Sequence, residues 1–154
     1  MIKTNQYTWD NRFLELAKLI STWSKDPSTK VGAVIVGQDN TILGTGYNGF
    51  PRNVEDNKNR LNNRPLKYKM IVHAELNAIL NSKHDLTGST IYVYPTMMEP
   101  NCCNECTKAV IQAGIKRIVY YKQEKTEQST RWIEEQEVSK LMCDEAGIKY
   151  WGIV

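Results

Sequence analysis

Two short segments lie well apart in the chain and carry chemistry that is useful only if they meet: Val72-His73-Ala74-Glu75 and Pro100-Asn101-Cys102-Cys103-Asn104-Glu105-Cys106. The first offers an imidazole and a carboxylate. The second offers thiols, two of them spaced C-x-x-C. One histidine and two cysteines form a three-donor set of the softness that suits Zn²⁺. Three donors leave the fourth tetrahedral position open, which separates a catalytic zinc from a structural one. Glu75 gives that position a use, because a carboxylate two residues from a ligand histidine can reach a water there without binding the metal. Each segment alone says less. His-x-Glu arises often by chance, and C-x-x-C also serves redox pairs and structural zinc knuckles. A structural zinc, however, leaves Glu75 idle, and a redox pair needs neither His73 nor Glu75. On the residues alone, Cys102 and Cys103 compete as the first thiol ligand.

The bulk numbers suit one domain with a real core, spanning all 154 residues. Apolar residues make up 41% and charged residues 24%, the proportions of a globular protein in water. The net charge of +3 is too mild to argue for long nucleic acids as partners. No apolar run approaches the roughly 18 residues that a membrane span needs, and Met1 to Asp10 lacks the apolar core of a signal peptide. Cys102, Cys103 and Cys106 crowd together, which fits metal ligation in a reducing cytoplasm better than a secreted disulfide framework. Cys143 reads as a buried small apolar residue.

Trp9, Phe13, Leu16, Ala17, Ile20 and Trp23 recur at helical spacing, so a helix is expected over about residues 9 to 24, capped by Thr8 and ended before Pro27. Val31 to Val36 and Thr41 to Tyr47 read as a hairpin. Gly44, Gly46 and Gly49 surround Tyr47 and Asn48 and allow positive φ or close backbone approach to a ligand. Pro51 to Lys69 reads as a long polar connection whose basic residues, Lys67 among them, suit a phosphate. Further helices are expected from Val72 to Asn81, from Cys106 to a stop at Gly114, and along a face of Val138, Leu141, Met142 and Ala146. Strands are expected at Ser89 to Tyr94, Ile115 to Tyr121 and Ile148 to Val154, with Thr126 to Arg131 a polar loop. The fold class is therefore α/β, an α-β-α sandwich on one mixed five-stranded sheet with the last two strands parallel. Residues i and i+2 do not share a helix face, so His73 and Glu75 converge only at a helix end. The two helix starts must then point at one place. Asn48 carries an amide that both donates and accepts.

The stretches Ser24-Lys-Asp-Pro27, Val31-Gly-Ala33, Gly46-Tyr-Asn-Gly-Phe-Pro51, His73-Ala-Glu-Leu-Asn-Ala-Ile79, Cys103-Asn-Glu-Cys106 and Ile111-Gln-Ala-Gly-Ile115 together resemble the zinc-dependent cytidine deaminase superfamily, and within it the deoxycytidylate (dCMP) deaminases. The resemblance implies a cytidine-deaminase-like fold and hydrolysis of dCMP to dUMP and ammonia, a step that supplies thymidylate precursor in the cytoplasm. It implies Zn²⁺ on His73, Cys103 and Cys106, with Glu75 moving protons. Asn48, Ala74 and Tyr121 are the residues expected at the substrate. The loop Gly46, Tyr47, Asn48 and Gly49 is implied as a regulatory site, where dCTP activates and dTTP inhibits with Mg²⁺ on the phosphates, in a homohexamer. Three features depart from the family pattern. Cys102 replaces the usual proline before the cysteine pair, and Pro95 to Asn101 is longer than usual. Lys122-Gln-Glu-Lys125 stands where many relatives carry a tyrosine, leaving Tyr121 or Trp132 to replace it. The alternatives are a related deaminase acting on another base (a purine nucleotide, cytidine or an RNA base) and a non-catalytic zinc module with Cys102 as fourth ligand.

Overall fold

Side-chain alternation along the strands sorts the core into two halves on opposite faces of one sheet. The computed structural model describes residues 4–96, 103–123 and 133–154. In chain order the elements are α1 (Gln6–Ser21), β1 (Gly32–Val36), β2 (Ile42–Tyr47), α2 (Lys58–Asn62), α3 (Arg64–Met70), α4 (Ala74–Asn81), β3 (Thr90–Thr96), α5 (Asn104–Gln112), β4 (Arg117–Lys122), α6 (Ile133–Glu145) and β5 (Lys149–Ile153). The sheet runs β2-β1-β3-β4-β5. β1 is antiparallel to both β2 and β3, whereas β3, β4 and β5 are parallel. The mixed five-stranded sheet and the parallel final pair therefore stand as the sequence implies.

Val34, Val36, Tyr92 and Val119 point to one face, where Phe13, Leu14, Ala17 and Ile20 of α1 cover them. Ala33, Ile35, Ile91, Val93, Ile118 and Tyr120 point to the other, under Ala74 and Ala78 of α4, Cys106 and Val110 of α5, and Cys143 of α6. Successive residues of a strand face opposite ways, so a single β-branched run serves both layers. Burial pushes the Cys143 thiol up to about 11 and keeps it an inert core group.

Several local expectations change. α1 starts and stops earlier than its apolar spacing suggests, because the Asn5 side chain rather than Thr8 accepts the first free amide, that of Thr8, at 2.9 Å. The region 51–69 is not a plain connection: Asn57 and Asn63 cap two short helices there, accepting from Arg60 and Leu66 amides. Asparagine in a polar stretch reads as turn, and here two of them open helices. On α6 the buried positions are Ser139 and Cys143, and Val138 and Leu141 face outward. The expected polar loop at 126–131 lies outside the described residues. Gly46 serves close approach to protein rather than to a ligand, since a Cβ there would fall on the backbone of Ala74 and Ala78. That contact seats α4 directly on β2 and so places its first turn.

Candidate active site

Both ligand segments end in the same structural device. His73 is the N-cap residue of α4 and Cys103 that of α5. The His73 side chain makes no capping hydrogen bond, so its ring is left for other work. Nδ1 of His73 lies 3.2 Å from Cys103 Sγ and 3.5 Å from Cys106 Sγ. The donor atoms of His73, Cys103 and Cys106 all lie within 4.8 Å of one another. A tetrahedral zinc with bonds of about 2.1 Å to nitrogen and 2.3 Å to sulfur holds such donors about 3.6 Å apart, so the set fits this ion. Among the described residues no further histidine, cysteine or carboxylate joins the cluster. Cys102, the rival first ligand, lies outside the described residues.

The electrostatics favour a cation. The Cys103 thiol is pulled down to about 4 by hydrogen bonding from the Cys106 side chain, with His73 and the Cys106 backbone N–H adding to it. A thiolate at a helix N-terminus is stabilised by the unpaired amides there. In return, the hydrogen bond to Cys103 holds the His73 imidazole up to about 9, against the effect of burial. A site that keeps a proton on this imidazole attracts a dication in its place, because metal and proton compete for the same lone pairs.

Glu75 sits in the first turn of α4, 7% exposed, with Oε2 4.0 Å from Cys106 Sγ. Burial pushes its carboxyl up to about 7, partly offset by the positive charge of His73. An acid that gains and loses a proton near neutral pH is what general acid–base catalysis asks for. The carboxylate is beside the three donors but outside their set.

The other expected residues fare differently. Ala74 begins α4 and is fully buried, so it can offer a ligand only its backbone. Asn48 is buried, and its amide already works at both ends: Oδ1 accepts from Val31 N at 2.8 Å and Nδ2 donates to Thr29 O at 2.8 Å. Tyr121 is brought nowhere near the donors. It packs with Tyr94 on the α1 face, ring centroids 4.9 Å apart, because it follows Tyr120, which takes the α4–α5 face. Trp132 lies outside the described residues, as does most of the segment from Pro95 to Asn101. Lys67, expected among the phosphate-binding basic residues, is instead 2% exposed and paired with Asp26 at 3.0 Å. Arg52 donates to Asn81 and Arg60 to the Glu55 carbonyl. One neighbour went unread in the sequence. Glu135 of α6 has its carboxyl pushed up by burial and then by the charge of Cys103, so α6 brings a second acid towards the metal ligands. Its only sequence signal is its place one turn before Ser139, whose hydroxyl bonds Asn104 at 2.9 Å.

The sequence also matches known proteins. The family model described as cytidine and deoxycytidylate deaminase zinc-binding region matches residues 7–122. An uncharacterized deaminase from the luxG 3′ region of Aliivibrio fischeri is 42% identical over 144 residues, covering 92% of this chain and 90% of that protein. The deoxycytidylate deaminase of Pongo abelii is 38% identical over 153 residues, covering 92% of this chain and 78% of that protein. A crystal structure of dCMP deaminase from the cyanophage S-TIM5, in complex with dCMP and dUMP, superposes with a TM-score of 0.72 at 22% identity, covering 98% of this chain and all (100%) of that one. The chain belongs to the family of zinc-binding cytidine and deoxycytidylate deaminases.

Proposed function

We propose that this chain hydrolyses dCMP to dUMP and ammonia, supplying a thymidylate precursor. The observation that carries the reading is the buried Glu75 carboxyl, 4.0 Å from one of three converging metal donors yet not one of them. The substrate follows from relatives at 38–42% identity that bear the name deoxycytidylate deaminase.

In this reading His73, Cys103 and Cys106 would hold zinc, which when bound would supply a polarised water with its pKa lowered towards about 7. Glu75 takes a proton from the attacking water and delivers it to N3 of the base as the oxygen bonds to C4. The remaining hydroxyl proton then travels through Glu75 to the amino nitrogen. The C4–N bond breaks, ammonia leaves, and the carboxylate is restored. Burial of Glu75 keeps bulk water from competing for these protons. The Ala74 backbone borders the base, and the second Nδ2 hydrogen of Asn48 faces the sugar. Tyr121 has no part, given its place on the α1 face.

The finer points belong to the same proposal. The whole chain acts as one deaminase unit. Gly46, Tyr47, Asn48 and Gly49 border a regulatory site for dCTP and dTTP, with Mg²⁺ on the phosphates, in a homohexamer. In support, a surface cleft of about 300 Å³ lined by Arg52, Asn77, Leu80 and Lys83 among others adjoins this loop through Asn77, which also donates to Tyr47 O. No helix of the described residues is long and apolar enough to cross a membrane. Thiols at Cys103 and Cys106 have to stay reduced to hold a metal, which suits a reducing cytoplasm.

Ammonia release from dCMP, CMP, cytidine, dAMP and dGMP tests the reading. The expected result is turnover of dCMP with kcat/KM at least tenfold above every other compound, changed by dCTP or dTTP with Mg²⁺. A purine nucleotide or cytidine as best substrate would replace dCMP. No ammonia from any of them, with one zinc bound, would favour a non-catalytic zinc module.

A further inference from the structure

Lys67 and Asp26 are fully buried charges that the chemistry above does not use. Removing two charges from water costs several kcal/mol per ion, so such a pair is a poor means of adding stability. What it does contribute is geometry. Asp26 Oδ1 accepts from Lys67 Nζ at 3.0 Å, from Ser28 N at 2.8 Å and from Thr29 N at 3.2 Å. Thr29 O in turn accepts from Asn48 Nδ2. The next residue, Gly49, exchanges both backbone hydrogen bonds with Val72, N to O at 3.1 Å and O to N at 2.8 Å. The segment then returns to its start, since Ile71 N donates to Lys67 O at 2.8 Å. The path from Lys67 through Asp26, Thr29, Asn48, Gly49 and Val72 is therefore a closed ring, and His73 is the first residue beyond it.

The far side of His73 is held separately. Asn77 of α4 donates from its amide to Tyr47 O at 2.8 Å and from its backbone to His73 O at 2.9 Å. His73 thus stands between a helix seated on β2 and a ring locked by one buried ion pair. The His73 side chain caps nothing, so its direction is fixed by the two thiols it meets and by its backbone, and the ring holds the backbone immediately before it.

We infer that Lys67 and Asp26 are positioning residues for the metal centre: their ion pair closes the ring that sets the His73 imidazole, and Asn48 is a link in that ring before it is a substrate contact. Lys67, which by composition belongs with the phosphate-binding basic residues, is thereby assigned to the metal ligand instead. The inference rests on the zinc reading of the site.

The test is Co²⁺ substitution of the full-length protein, whose visible d–d bands report ligand geometry, alongside steady-state kinetics. Asp26→Asn with Lys67→Met removes both charges together and leaves no buried ion unpaired. The double variant is expected to bind one Co²⁺ with shifted bands, and its zinc form to lose about tenfold to 100-fold in kcat with KM within about twofold, the size of effect a small misplacement produces. Asn48→Ala tests the ring from its other side without touching the ion pair. A residue that served only the sugar would leave the substrate-free cobalt spectrum unchanged, whereas a link in the ring shifts it. Unchanged bands in Asn48→Ala overturn the inference, as do unchanged bands and kcat in a folded double variant. If the double variant does not fold, the Asn48→Ala spectrum decides. Failure of the parent protein itself to bind one Co²⁺ would overturn the zinc reading and this inference with it.

Discussion

Glu75→Gln is expected to keep zinc at one per chain and to lose about 10²- to 10⁴-fold in turnover, the usual worth of a positioned general acid–base group. Glutamine matches the carboxyl in size and fits the same buried place in the first turn of α4. It cannot carry a proton from water to the base. Zinc retention follows because Glu75 lies outside the donor set. The pH profile adds a check with a definite sign. The mechanism needs the carboxylate, so activity falls as pH falls through the Glu75 pKa. Burial raises that value to about 7 against the pull of the His73 charge, so the acid limb lies near pH 7. The variant should lack this limb. Near-normal deamination by Glu75→Gln would remove Glu75 from the proton path.

Cys106→Ser is expected to abolish tight zinc binding and, with it, the dependence of stability on zinc. Cys106 is 2% exposed and lies in the core between α4 and α5 as well as in the donor set. The ion joins the starts of two helices, so binding is linked to folding. At free zinc about 1,000 times Kd the linkage is worth about 4 kcal/mol. For a chain of this size that corresponds to roughly 8–16 °C in Tm. The parent should melt higher with zinc than with a chelator by about this much, and the variant should melt at one temperature in both. The serine hydroxyl adds a desolvation cost of about 1–3 kcal/mol if it finds no partner. A variant that still shows the zinc-dependent rise would mean that Cys106 is not a ligand.

The layers of this fold were legible because strand alternation and the helical spacing of apolar residues report burial directly. Runs such as Val31 to Val36 carry both faces of the sheet in one stretch. The donor set was legible because C-x-x-C and His-x-Glu, each a weak signal alone, become specific when both open helices of one chain. Helix starts in polar sequence were not: Asn5, Asn57 and Asn63 act as caps, and asparagine signals turns as readily as helices. Tyr121 was misplaced by a single register step, since its neighbour Tyr120 took the face towards α4 and α5. Lys67 and Asp26 were unreadable for another reason. A charge in a polar segment reads as solvated, and only the packing of α3 against the turn after α1 reveals a buried pair.

Zinc K-edge X-ray absorption of the fully loaded parent protein tests the open coordination position most directly. The expected shell is two sulfurs at about 2.3 Å and two lighter atoms at about 2.0–2.1 Å, one from His73 and one not supplied by the chain. A shell of three sulfurs, with Cys102 closing the sphere, would contradict a catalytic centre.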